Sequence, residues 1–196
     1  MTKPDFYRYF LASRPDFALR TELVGLRAAT GQFKSLVAAD LLHLTWCVVA
    51  ETLERDRFIR TRVEAALRDQ LFFSGPLWLG RVRGGAAGAA IYSLGRKPEI
   101  LSLYQEIAAC IATRGILPLH RKSGFHPHLT IGHDPCAFEP FLMQHEWIPD
   151  ELLLIESEVG NGVHNILSRW PLLPPRQGLL PFDPPFPPAP LRAAGG

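Results

Sequence analysis

Residues 41–47 read LLHLTWC, and residues 125–133 read FHPHLTIGH. The tripeptide His-Leu-Thr stands in both, as His43-Leu44-Thr45 and His128-Leu129-Thr130. Composition alone supplies about 0.3 His-x-Thr in a chain of this make-up. Each copy lies in an apolar, β-branched run of the kind that forms a buried strand. Alternate residues of a strand share a face. His43 and Thr45 therefore point one way, and Leu42, Leu44 and Trp46 the other. His128 and Thr130 likewise point away from Leu129 and Ile131. The apolar side chains seek the core, which leaves the His/Thr face for a groove.

Similar signals precede both tripeptides. Tyr9-x-Leu11 leads to Arg14-Pro15-Asp16, and Tyr92-x-Leu94 leads to Lys97-Pro98-Glu99. Proline in the first turn and an acid near the N-terminus both favour a helix start. The pattern reads as a duplicated strand–helix–strand–helix unit, with halves of roughly 6–70 and 89–158. It implies an α/β (α+β) fold of two pseudo-symmetric lobes. Each lobe is expected to be an antiparallel-rich sheet with helices on its outer face, and the cleft to lie between them.

Periodicity extends the reading to other elements. Tyr7 to Ala12, Leu41 to Val49, Leu71 to Val82 and Ala89 to Leu94 are expected as strands. His128 to Gly132 completes the second motif strand. Phe58, Ile59, Val63 and Leu67 mark one helix, and Ile100, Leu103, Tyr104, Ile107 and Ile111 another that Gly115 stops. Phe138 to His145 is expected as a short helix. Leu152 to Val159 and Val163 to Trp170 are expected as a hairpin through Gly160-Asn161-Gly162.

Composition narrows the function. The chain has 196 residues, 47% hydrophobic and 20% charged, with net charge +2. Such a chain holds a real core and does not bind nucleic acid by bulk charge. A ligand gripped through a single phosphate still fits. Cys47, Cys110 and Cys136 are far apart, which argues against a disulfide framework and for a reducing, cytoplasmic location. No apolar run is long enough to span a membrane, and the first residues lack a signal-peptide pattern. Nine of the 18 prolines lie from Pro171 onward. Residues 173–196 are therefore expected to be an extended, disordered tail, and 1–172 the domain.

Two imidazoles facing one cleft suit proton transfer near neutral pH. One removes a proton from water while the other protonates a leaving oxygen. Threonine hydroxyls donate hydrogen bonds to phosphoryl oxygens as charge builds there.

On the paired His-Leu-Thr tripeptides, YFLASRPD at the start, FHPHLTIGH and the closing VHNILSRWPL, the chain resembles the 2H phosphoesterase superfamily. Within it, the chain is similar to the LigT-like 2′-5′ RNA ligase / RNA 2′,3′-cyclic phosphodiesterase family. The resemblance covers residues from about 6 to 172. It implies a metal-independent enzyme that opens 2′,3′-cyclic phosphates at RNA ends to 2′-phosphates; small cyclic-phosphate nucleotides are expected as further substrates, with no cofactor and a monomeric chain. By the same resemblance His43 is the proton donor, His128 the proton acceptor, and Thr45 and Thr130 bind the phosphate. His133 stands where relatives often carry Arg, and so does His126. A neutral imidazole grips phosphate less well than a guanidinium. A non-catalytic nucleotide-binding domain is therefore the alternative.

Two further readings carry less. His120, His126, His128, His133 and Cys136 cluster in sequence, but no ligand spacing frames a zinc site. Among Trp46, Phe72, Phe73 and Phe125, Phe125 is the best placed to stack a base, and Arg121 and Lys122 to meet a backbone phosphate.

Overall fold

In this computed structural model the described residues are 3–30, 36–86, 88–95, 97–119, 124–133 and 141–175. The elements run β1 (Phe6–Ser13), α1 (Phe17–Thr30), β2 (Leu44–Thr52), α2 (Arg57–Leu67), β3 (Phe72–Phe73), β4 (Leu77–Gly85), β5 (Gly88–Ser93), α3 (Pro98–Ala112), β6 (His128–Gly132), β7 (Phe141–Trp147), β8 (Glu151–Val159) and β9 (Val163–Leu173). The fold is mixed α/β. The expected tail lies largely outside the described residues, as do His120, Arg121, Lys122 and Cys136.

The nine strands of the described residues join one open sheet in the order β3-β9-β8-β1-β2-β6-β5-β4-β7. Every pairing is antiparallel except that of the short β3 with β9. The sheet is thus continuous across the motifs, but β2 and β6 meet through a single pair, Leu44 opposite Leu129. β8 and β9, late in the chain, pack on the β1 side of that seam. Sequence neighbours and sheet neighbours therefore differ there.

One face of the sheet carries the main core. Leu19 and Leu23 of α1, Ile59 and Val63 of α2, and Ile100, Leu103, Ile107 and Ile111 of α3 pack with Leu11, Leu44, Trp46 and Leu129. Each fully buried Leu contributes about 1.5–3 kcal/mol. Asp16 caps α1 by accepting from the Leu19 amide at 2.7 Å, and Asp56 caps α2 through the Phe58 amide at 2.8 Å. The opposite face holds a smaller cluster of Phe10, Ala12, Leu153 and Ile155.

β8 is pinned beside β1 by a satisfied buried acid. Glu156 accepts from Tyr9 Oη at 3.0 Å and Asn165 Nδ2 at 3.2 Å, and pairs with Arg55 Nε at 3.0 Å. Three donors offset the desolvation of this carboxylate. Burial, with the neighbouring acid contributing, pushes the Tyr9 hydroxyl up to about 12.

Several boundaries differ from expectation. The segment Phe138–His145 is not a helix where it is described: β7 is a strand in which Met143 and Trp147 are buried and Leu142, Gln144 and Glu146 exposed. That period of two decides for a strand. The expected strand Leu71–Val82 is broken between β3 and β4 at Ser74-Gly75-Pro76, where Pro has no amide for the ladder. β2 begins at Leu44, after a 3-10 turn over Ala39–Leu41, so His43 sits just before the strand. Tyr9 and Tyr92, in register by sequence, occupy different places. Tyr9 lies three residues before Ala12, the partner of Thr45, whereas Tyr92 stands directly opposite His128. Bulges in β1 shift its register against β2.

Candidate active site

The seam between β2 and β6 builds the site. Leu44 and Leu129 face each other and are fully buried on the helical side. Antiparallel pairing through these middle residues turns the flanking residues to the other side. His43, Thr45, His128 and Thr130 accordingly line one cavity of about 830 Å³. All four candidate residues from the two tripeptides are thus brought together. The antiparallel sense sets His43 on the Thr130 side of the seam and Thr45 on the His128 side.

The two histidines are held alike. His43 Nδ1 lies 2.7 Å from the Leu41 carbonyl, and His128 Nδ1 lies 2.7 Å from the His126 carbonyl. A carbonyl only accepts, so in each ring Nδ1 carries the proton and donates it. The neutral tautomer leaves Nε2 free to act as base, and the cation presents Nε2–H as acid. The residue two places upstream supplies the anchor in both motifs. His126 therefore bears on the site through its main chain.

Aromatic rings flank both imidazoles. Phe10 lies 4.9 Å from His43 between centroids, and Tyr92 stacks on His128 at 5.5 Å. Burial pushes the His43 imidazole down to about 4, against the raising effect of the Leu41 carbonyl. His43 is therefore neutral in the empty cleft at pH 7.

Space beside the threonines comes from small partners. Ala12 stands opposite Thr45, and Ala90 opposite Thr130. Gly88 is needed where β5 approaches β6: its φ is +107°, and a Cβ there would lie 2.1 Å from the Gly132 carbonyl oxygen. That contact fixes the end of β6, where His133 reaches the cavity wall.

Of the stacking candidates, Trp46 and Phe125 line the same cavity as the two tripeptides. Trp46 is buried and donates to Ser13 Oγ at 2.8 Å. Phe125 stacks on Tyr104 at 4.2 Å and lies 5.8 Å from Trp46. Phe72 is in the main core. The sequence does not mark Phe10, Tyr92, His164 or Arg14 as site residues. The spacing of the last two from the motifs gives no local signal. Among the described residues no group of three His, Cys, Asp or Glu is placed to hold a metal.

No protein-family model and no curated protein matches the sequence. Solved structures do. Apo LigT from E. coli superposes with a TM-score of 0.67 at 21% identity, over 86% of this chain and 99% of that one. The chain has the LigT fold. The TT0787 protein of Thermus thermophilus matches with a TM-score of 0.66 at 19% identity, over 84% and 97% of the two chains. The MHV ns2 PDE domain matches with a TM-score of 0.54 at 15% identity, over 79% and 99%. LigT has been solved with ATP, 3′-AMP, NADP+ and phosphate. The LigT fold accounts for the described body of the chain, and no described helix is long and apolar enough to cross a membrane.

Proposed function

We propose that the chain is a 2H phosphoesterase that opens 2′,3′-cyclic phosphates, at RNA ends or on small nucleotides, to 2′-phosphates without a metal. The observation that carries this reading is the matched pair of imidazoles on one cavity wall, each with Nδ1–H tied to the carbonyl two residues upstream. Each keeps Nε2 for substrate, and each has a threonine beside it. The nucleotides bound in the LigT structures support a nucleotide ligand here.

His128 Nε2 takes a proton from water as its oxygen attacks phosphorus. The bond from phosphorus to O3′ breaks, and protonated His43 gives its Nε2 proton to that oxygen. The hydroxyls of Thr45 and Thr130 donate to the phosphoryl oxygens. Because His43 starts neutral, it takes up its proton as the anionic phosphate enters: a negative charge at contact distance favours the imidazolium. A 5′-hydroxyl in place of water gives 2′-5′ ligation with the same groups. The enzyme is expected to act in the cytoplasm as a monomer.

The test is incubation with an oligonucleotide ending in a 2′,3′-cyclic phosphate, in EDTA. A 2′-phosphate product is expected, with a loss of about 10²–10⁴-fold in both His43→Ala and His128→Ala. Product formed equally well by either variant overturns the reading. His133 in the cavity wall, where LigT-like relatives often have Arg, favours one second reading: a domain that binds the nucleotide and does not turn it over. Saturable binding with no product would select it.

A further inference from the structure

Beside the catalytic cleft lies a second cavity of about 520 Å³. Its walls include Arg14, Asp40, Leu41, Gly162, His164 and Asn165. Leu41, Gly162 and His164 also line the larger cleft, so the two spaces share a wall. The His43 and His164 ring centroids are 5.2 Å apart.

Two polar atoms of this cavity's lining residues are unsatisfied. Arg14 Nε and His164 Nδ1 are both buried, and neither has a hydrogen-bond partner among the described residues. A buried donor without a partner costs about 1–3 kcal/mol, more when charged. Both residues line the cavity, and a cation beside an imidazole there suits a ligand that accepts hydrogen bonds. Asp40 is the one carboxylate in the lining among the described residues. It is exposed on its 3-10 turn and makes no ion pair with Arg14 among the described residues. Its charge still reaches both Arg14 and His164 and favours their charged forms, while its exposure to water weakens its repulsion of an anion. Guanidinium and imidazole together select an oxyanion, and Asn165 adds a neutral polar group.

We infer that Arg14 and His164 form a second phosphate subsite, which takes another phosphoryl group carried by the nucleotide whose cyclic phosphate lies between His43 and His128. The inference rests on the proposed function for the identity of the first group. Two phosphates on one ribose bridge neighbouring pockets whose facing rings are in contact. The preferred substrate is then a nucleoside 2′,3′-cyclic phosphate that also bears a 5′-phosphate. Arg14 supplies the lasting charge. The His164 imidazole is the second group, and burial, reinforced by the Arg14 charge, holds that ring neutral until an anion arrives.

The experiment compares binding of adenosine 2′-monophosphate and adenosine 2′,5′-bisphosphate by calorimetry, with the His164 imidazole followed by NMR during titration with inorganic phosphate. The bisphosphate is expected to bind roughly tenfold more tightly. Arg14→Gln and His164→Asn are each expected to reduce that ratio toward one, while Thr130→Val weakens both ligands and keeps it. Equal affinities in the wild-type protein, or a ratio that survives Arg14→Gln, overturn the subsite. If neither nucleotide binds but phosphate moves the His164 resonance in wild type and not in Arg14→Gln, the subsite stands and the proposed function falls. A His164 resonance that phosphate leaves unmoved overturns the subsite whatever the enzyme hydrolyses.

Discussion

The imidazoles of His43 and His164 meet edge to face, their centroids 5.2 Å apart and their planes at 70°. His164 lies in β9 and His43 immediately precedes β2, and three pairings bring these together, β9 to β8, β8 to β1 and β1 to β2. Both rings are pushed down to about 4 by burial. Two cations at this spacing would repel, and Arg14 adds a third positive charge. The resting cleft therefore holds both rings neutral.

This pair predicts the acid limb of stability. In the unfolded chain both histidines take up protons near pH 6.5, whereas in the fold they wait until about pH 4. Between those values the unfolded state binds more protons, so stability falls as pH drops from about 6.5 to about 4. Urea titrations at pH 7.5 and 4.5 measure the loss. His164→Asn, which removes one of the two groups, is expected to lose less stability over that interval than wild type. An equal loss would mean that His164 is not held neutral.

A second pH prediction concerns chemistry. If His43 is the acid, the bound phosphate must raise its pKa from about 4. NMR titration of the His43 imidazole with and without adenosine 2′-monophosphate reads this directly. The expected result is an upward movement of at least one unit in the complex. A pKa still near 4 with the ligand bound would assign the neutral, basic role to His43 and exchange the two histidines' parts.

Much of this is legible in the sequence because it is local. The helix start at Asp16, the helices α2 and α3, and the hairpin through Gly160 and Gly162 follow from spacing within a turn or two. So does the facing of His43 with Thr45 and of Leu44 with Trp46, which only needs a period of two. What escapes is set by pairing between distant strands. Nothing near His164 marks it as a neighbour of His43, because that contact depends on β8 and β1 lying between their strands. Arg14 reads as part of a helix start, yet it lines a cavity. Tyr9 and Tyr92 look equivalent in sequence, but the bulges in β1 move one into the core and leave the other over His128. Phe138 to His145 reads as a short helix, but burial alternating from the exposed Leu142 and buried Met143 to the exposed Glu146 and buried Trp147 makes β7 a strand.

The threonines are predicted to serve the transition state more than the fold. Valine keeps the β-branched shape of threonine and loses only the hydroxyl. Ala12 and Ala90 opposite these sites leave room for the extra methyl. Thr45→Val and Thr130→Val are each expected to lower kcat about 10²-fold, the scale of removing one donor to a developing oxyanion. Thermal melts should stay close to wild type. A fall in melting temperature that matches the fall in activity would assign the threonines to the strands.

The seam itself supplies the last prediction. Among the described residues Leu44 and Leu129 make the only ladder pair between β2 and β6, and both are fully buried against the helices. Truncating either leaves a cavity at the point where the two His-Leu-Thr segments touch. Leu129→Ala is expected to cost about 2–5 kcal/mol. It should also cost activity beyond the unfolded fraction, because His128 and Thr130 flank the gap. Leu103→Ala, in α3, makes a cavity of the same chemistry in the same core without touching the ladder pair itself. At equal loss of stability, measured by urea titration, the Leu129 variant should show the greater loss of kcat/KM. Equal losses in the two variants would mean that the seam holds the sheet together without setting the spacing of the histidines.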